Sequence, residues 1–228
     1  MKSLATISLL VVSLSIAQAN LIQNGGFEVN TNAGANNGID DTADGWSKFT
    51  DLSANSSPDV WDNNGVNGIL PGLSGYFTGF TAFAGTKFAS IAGNPSQNNY
   101  IEGIESSSFT LAANTTYILS AVYAYSGSAP NGYNNPAPVT ARLRMVSFPS
   151  VVLTQLPANT LASTWQSSSY QFQVTNSGMY SLILSAEGAV NNYLGVDEVA
   201  LNPVPEPATL SVLALGGLAV LRRMKRKN

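Results

Sequence analysis

Ten consecutive residues, Thr116 to Tyr125, alternate without a break: Tyr117, Leu119, Ala121, Tyr123 and Tyr125 fall on one side of an extended chain, Ile118, Ser120, Val122 and Ala124 on the other. A side chain period of two over that length is incompatible with a helix and calls for a sheet that buries the aromatic side. The same pattern returns at Val139 to Phe148, where Ala141, Leu143 and Met145 oppose Thr140, Arg142 and Arg144. It returns again at Tyr170, Phe172 and Val174, and at Tyr180, Leu182 and Leu184. Turn formers separate these runs, among them Ala113-Asn114, Asn131-Gly132 and Asn176-Ser177-Gly178, at the spacing of short antiparallel strands. The expectation is an all-β, jelly-roll-like antiparallel β-sandwich. Residues 30 to 99 are less regular and rich in Gly, Asn, Ser and Asp, which predicts long loops between short strands around Trp46, Trp61 and Phe88.

The two ends read differently from the middle. Met1-Lys2-Ser3, an apolar run from Leu4 to Ile16, and Ala17-Gln18-Ala19 give the charged start, hydrophobic centre and small-residue cleavage site of a signal peptide, with Ala17 and Ala19 flanking the cut and Asn20 as the mature start. At the other end Val204-Pro205-Glu206-Pro207 precedes an uncharged stretch over 208 to 221, and five of the last seven residues are basic, beginning with Arg222 and Arg223. Lys and Arg beside an apolar segment remain on the cytoplasmic side, so this tail leaves the preceding domain outside the inner membrane. A helix over 208 to 221 is about 21 Å long at ~1.5 Å per residue, short against a hydrocarbon core of ~30 Å. A transient stop fits better than a permanent anchor. The expected organisation is a signal peptide over 1–19, one exported domain over 20–202 and a tail over 203–228, made of a motif (204–207), a short transmembrane helix (208–221) and a basic end (222–228).

The Pro-Glu-Pro motif, short hydrophobic segment and Arg-rich terminus resemble the PEP-CTERM sorting signal of Gram-negative bacteria that make exopolysaccharide. The resemblance implies recognition by an exosortase, a membrane cysteine transpeptidase that removes the tail near Pro205 to Pro207 and passes the protein to the envelope surface or extracellular matrix. Val204, Pro205, Glu206, Pro207, Arg222 and Arg223 would then be substrate residues of sorting.

Removing both ends changes the charge. From Asn20 to Pro207 only Lys48, Lys87, Arg142 and Arg144 are cationic against all thirteen acids, a net charge near −9. Binding to nucleic acid through phosphate neutralisation is excluded on that balance, whereas divalent cations are attracted. With no Cys, neither disulfides nor thiolate metal sites contribute in the oxidising compartment that a signal peptide implies.

The exported domain has a resemblance of its own. Asn20-Leu21-Ile22-Gln23-Asn24-Gly25-Gly26-Phe27-Glu28 resembles the first strand of galactose-binding-like jelly rolls, including carbohydrate-binding modules attached to glycoside hydrolases. Asp44-Gly45-Trp46 and the closing run Leu194 to Leu201 fit the same pattern. Many members hold a structural calcium between first and last strands, and the resemblance implies Glu28 and Asp197 as its carboxylates, with further oxygens completing a shell of six to eight. Without an ion, the same two acids are hydrogen-bonded at strand ends. Asp40, Asp41 and Asp44 form a second acidic cluster that reads as a turn.

Sugar binding needs an aromatic face to stack on a pyranose ring and amides or carboxylates for its hydroxyls. Trp61 beside Asn63 and Asn64, Tyr100 after Asn98-Asn99, Tyr133 with Asn134-Asn135, and Tyr193 after Asn191-Asn192 offer that mixture. Trp61, Tyr100, Tyr133, Asn134 and Tyr193 are therefore the candidate ligand residues, each of which is also ordinary loop or sheet-edge chemistry until geometry brings it to others. Catalysis has less to work with. His and Cys are absent, no nucleophile or phosphate-loop motif occurs, and Glu102 and Glu105 fall on opposite faces of an apparent strand. The expected function is an exported, non-catalytic module that binds exopolysaccharide or another glycan. A structural coat or adhesion protein with protein partners is the alternative, and a glycan-active enzyme a third.

Overall fold

The computed structural model describes residues 19–31, 43–52, 56–62, 81–95, 100–127, 129, 132–188 and 190–205. Residues 1–18, where the signal peptide with Ala17 is expected, Asp40 and Asp41, and the tail from Glu206 onward lie outside the described residues. Among those described there is no helix, and two antiparallel sheets form a β-sandwich of the jelly-roll type.

Twelve strands follow one another: β1 Trp46–Lys48, β2 Asp59–Asp62, β3 Lys87–Asn94, β4 Tyr100–Ile101, β5 Gly103–Ser106, β6 Phe109–Leu111, β7 Thr116–Tyr125, β8 Val139–Met145, β9 Val151–Leu156, β10 Gln166–Gln173, β11 Gly178–Ser185 and β12 Asn192–Pro203. The first sheet runs β1-β5-β11-β8-β9, with β6 also paired to β11. The second runs β10-β7-β12-β3-β2, with β4 paired to β3.

Alternation decides which face is buried. Leu119, Ala121 and Tyr123 of β7 meet Leu182 and Leu184 of β11, Ile91 of β3, and Leu194 and Val196 of β12 in one core between the sheets. Each such aliphatic side chain, fully buried, contributes roughly 1.5–3 kcal/mol. The opposite side of β7 is wetter at its start, where Ile118 is exposed.

One expected strand is absent. Asn20 to Glu28 forms turns, because Asn24 and Phe27 take left-handed backbone angles (φ 50° and 56°) that an extended strand excludes. The segment is instead strapped to β12. Leu21 N donates to Leu201 O at 2.9 Å, and Val199 N donates to Gly25 O at 2.9 Å. Only glycine fits at position 25, since an added Cβ would lie 1.9 Å from Val199 O. Phe27 is buried against Trp46, with ring centroids 5.0 Å apart, and Trp46 Nε1 donates to Asn24 O at 3.0 Å. A hydrogen-bonded knot thus closes the domain where first and last segments meet.

Candidate functional site

The outer face of the second sheet is aromatic. In β3, Ala89 and Ile91 enter the core, which turns Phe88, Ser90 and Ala92 outward. Register places Phe88 opposite Trp61 of β2, and Ala92 opposite Tyr193 of β12. Trp61 stacks on Phe88 at 6.4 Å and meets Tyr193 edge-on at 6.4 Å. Trp165, just before β10, crosses Phe88 edge-on at 5.5 Å, and Phe83 stands at its far side at 6.4 Å. Gly195 makes this approach possible: a Cβ there would lie 3.2 Å from Trp165 and 3.3 Å from Phe88. Trp61, Phe88 and Tyr193 are the buried floor, and Tyr100, Tyr133 and Trp165 are half-buried around it.

Beneath and beside the rings runs a polar network. Tyr193 Oη donates to Asp59 Oδ2 at 2.6 Å, and Trp61 Nε1 donates to Ser90 Oγ at 2.8 Å. Asn94 Nδ2 donates to Tyr133 Oη at 2.8 Å. Glu102 is buried among Tyr100 Oη, Ser57 Oγ (3.0 Å from Oε1) and Ala92 N, which donates to Oε2 at 2.7 Å. Ser57 Oγ and Tyr100 Oη are themselves 2.7 Å apart. Two hydroxyl protons cannot fill three contacts among Ser57, Tyr100 and Glu102; a proton on the carboxyl completes the triangle. Burial, and next the charge of Asp59, push Glu102 from 4.5 up to about 8 against the pull of its hydrogen bonds, so it is mostly neutral at pH 7. Burial and the neighbouring acids likewise push the Tyr100 and Tyr193 phenols up.

Four of the five candidate ligand residues, Trp61, Tyr100, Tyr133 and Tyr193, therefore meet on one sheet face. Asn134 stands exposed beside Tyr133, outside the cluster. Asn63, Asn64, Asn98 and Asn99 lie outside the described residues. Sequence reasoning did not assign Phe88, Trp165, Asp59 or Glu102 to a ligand face. The outward set Phe88, Ser90 and Ala92 was readable as alternation, whereas nothing local to Trp165 brings it over β3.

Glu28 and Asp197 grip one loop from its two ends. Buried Asp197 accepts from Phe83 N (2.9 Å) and Ala84 N (3.2 Å) through Oδ2, and from Glu198 N (2.8 Å) through Oδ1. Glu28 Oε1 accepts from Thr86 N and Lys87 N, each at 2.8 Å. A bulge between Asp197 and Ala200, with Glu198 at φ 48°, turns the Asp197 side chain toward the loop. Burial raises Asp197 from 3.8 to about 6 despite the three amides. The donors are hard oxygens with lone pairs left over, as calcium requires, but among the described residues no three acids come together. Asp44 closes a turn by accepting from Thr31 N at 2.9 Å and Thr31 Oγ1 at 3.0 Å.

At the C-terminal end the sheet stops where the Pro-Glu-Pro run starts. Val204 N donates to Thr116 O at 2.7 Å as the last bond between the end of β12 and β7, and Pro205 is exposed. Residues 203–227 match the family model of the PEP-CTERM protein-sorting motif. The chain carries a PEP-CTERM sorting signal. A signal of this kind marks a protein for export to the cell envelope, which places this one at the cell envelope or surface. No curated protein sequence matches the chain. Among solved structures, the CBM22-1 xylan-binding domain of Paenibacillus barcinonensis Xyn10C is similar at 14% identity, covering 83% of this chain and 97% of that domain with a TM-score of 0.50. Part of the arabinose-bound MgGH51 α-L-arabinofuranosidase is similar at 13% identity, covering 82% of this chain but 26% of that enzyme, with a TM-score of 0.50. At these identities the likeness is one of fold.

Proposed function

We propose that the exported sandwich is a non-catalytic glycan-binding module, sorted to the cell surface or matrix, whose ligand is the exopolysaccharide of the producing cell. The observation that carries this reading is the aromatic face: half-buried Trp165, Tyr133 and Tyr100 around a floor of Trp61, Phe88 and Tyr193, with the hydroxyls of Tyr133 and Tyr100 on the half-buried rings. Rings of that kind stack on the apolar side of a sugar, and the polar groups take its hydroxyls. A non-catalytic role is supported by Glu102, whose two oxygens are occupied by Tyr100, Ser57 and Ala92 N rather than presented to a bond. The fold likeness to a xylan-binding domain agrees with the reading.

On this proposal the signal peptide ends at Ala19, the domain spans 20–202, and the exosortase cuts near Pro205 to Pro207, leaving β12 whole. A structural calcium held by Glu28 and Asp197, with carbonyls of the knot, would fix the first segment to the last strand. Chelation would then lower the melting temperature of the exported protein, and added calcium would restore it; a melting temperature indifferent to both would remove calcium from the reading.

The deciding experiment is affinity electrophoresis of the exported protein in gels containing the producing cell's exopolysaccharide, xylan or galactan, with calcium present. Retention by at least one polymer is expected, weakened at least tenfold, about 1.4 kcal/mol, by Trp165→Ala or Tyr133→Ala. Mobility unchanged in every polymer would sink the glycan reading.

A further inference from the structure

The chain leaves the sandwich from an end whose strand termini and turns carry no charge. There β12 stops at Pro203, and Val204 N donates to Thr116 O at 2.7 Å. Thr116 opens β7, and the turn before it is tied to the turn before β11: Ala113 N donates to Ser177 Oγ at 2.8 Å, and Asn114 N donates to Val174 O at 3.0 Å. Val146 N donates to Met179 O at 3.0 Å, which adds the β8–β9 turn. These bonds gather four segments at one pole. All four fall within residues 106–141, 145–186 and 199–205, and none of those residues is charged.

Large apolar side chains stand in solvent around the same exit. Val151 is 67% exposed and Phe148 59%, and Val146, Met179 and Ile118, the last paired with Asn202, are exposed with them. Single apolar residues on a surface are ordinary, whereas a group of them on an uncharged end marks an interaction site.

Where the chain goes next says what covers them. The sorting motif spans 203–227, and within it the uncharged run 208–221 precedes the five basic residues of the terminus. From Val204 to residue 208 the chain reaches at most about 14 Å, at ~3.3–3.6 Å per residue. With that run in the bilayer and its basic end on the cytoplasmic side, lipid lies this close to the pole where the chain exits. Nothing ionic obstructs the contact: no acid on these segments has to lose its water or press against anionic headgroups. We propose that this pole seats on the outer surface of the inner membrane while the sorting tail is inserted, with Val146, Phe148, Val151 and Met179 entering the headgroup layer. The seat holds Pro205 to Pro207 at the lipid surface, within reach of a membrane enzyme. It also turns the far end outward, since Tyr193 lies about 33 Å along β12 from Pro203, at ~3.3 Å per residue. The inference rests on insertion of the tail and does not need the glycan reading.

The chain has no Cys, so a single introduced one takes a label cleanly. The exported protein, recovered with its tail from cells lacking the exosortase, is reconstituted into vesicles of phosphatidylethanolamine and phosphatidylglycerol. It carries a fluorophore at Ser147→Cys in the β8–β9 turn, or at Val190→Cys beside the start of β12 at the opposite end. Nitroxide-bearing lipid should quench the first label about fivefold more than the second, as a turn in the headgroup layer requires. Phe148→Ser combined with Val151→Ser should remove most of that difference, while flotation shows the variant still bound through its tail and thermal melts show it folded. Should the double variant fail to fold, the two label sites in the otherwise unchanged chain decide. Equal quenching at both sites, or protein that does not float with the vesicles, would overturn the proposal. So would quenching that a folded double variant leaves untouched, because the tether alone would then hold the pole near lipid.

Discussion

The outer faces of the two sheets use their acids in contrasting ways. On the first sheet, Arg142 and Arg144 alternate along β8 and each is clamped: Arg142 Nε bonds Glu187 at 2.7 Å, and Arg144 Nε bonds Glu105 at 2.8 Å while Nη1 reaches Asp51 at 2.9 Å. Phe49 lies under the Arg144 guanidinium, 5.6 Å from ring centroid to carbon. For Glu187, burial works to raise the carboxyl, but the bonds from Arg142 and Ser185 together with the Arg142 charge hold it below the ordinary value. On the second sheet, Glu102 is held by hydroxyls and an amide, and it keeps its proton. One face is a closed lattice of ions. The other is aromatic, and its buried Glu102 lies among hydroxyls and an amide, beside Asp59, rather than against a cation. The difference teaches that, in an acid-rich domain, where the few cations stand decides which face remains free to bind.

The largest expected effect breaks this contrast at Glu102. A carboxyl with a folded pKa above its unfolded one binds its proton more tightly in the native state, so the stability it lends is complete below pH 4.5 and is lost as the pH rises toward about 8. Asp197 adds a smaller fall of the same sign between about 4 and 6. Glu102→Gln keeps a neutral group of the same shape. Urea denaturation should find the variant close to wild type near pH 4.5 and more stable above pH 8, by on the order of a few kcal/mol. Parallel pH profiles for the two proteins would mean that Glu102 is ionised in the native state.

The matching change on the other sheet should have the opposite sign. Glu105→Gln removes the carboxylate from Arg144, leaving that guanidinium to Asp51, and also weakens the bond from Ser181. With the Glu105 side chain only 11% exposed, a loss of about 2 kcal/mol at pH 7 is expected in the same urea titration. A gain at this position would show that the ion pairs are strain rather than support.

What could be read from the sequence follows from how local each signal is. The alternation of β7, β8 and β11 needs only the period of two, and its apolar sides enter the core; in the closing run of β12 a bulge after Asp197 shifts the period, so that Leu194 and Val196 before it and Val199 and Leu201 after it all reach the core. Glu102 and Glu105 do face different ways, but not as two sides of one strand. Between Ile101 and Gly103 the chain leaves the second sheet, where β4 pairs with β3, for the first, where β5 pairs with β1 and β11. A switch between sheets has no signature in the residues that make it. The first segment misleads for a related reason: Leu21 and Ile22 read as extended, while Asn24 and Phe27 take left-handed angles in a turn held by Val29, Asp44 and Trp46, between the bonds that Leu21 and Gly25 make to β12 at the other end of the chain. The tyrosines of the candidate site stand out in the sequence by their neighbouring asparagines, yet what brings them together is packing around Trp61, Phe88 and Tyr193 on the outer face of the second sheet.

That distinction supplies the smallest and most discriminating test. Asn134 belongs to the same tyrosine–asparagine run as Tyr133, and it alone among the five candidates stands exposed outside the cluster. If the aromatic face is what binds, Asn134→Ala should change stability by less than about 0.5 kcal/mol, as surface substitutions usually do, and leave retention in glycan gels within twofold of wild type. Tyr133→Ala, one residue away, should lose retention, because it removes a ring from the face and the oxygen that Asn94 bonds. Equal losses at the two positions would move the site from the sheet face to the loop that follows Gly132, and the floor of Trp61, Phe88 and Tyr193 would then be a second hydrophobic core rather than a binding surface.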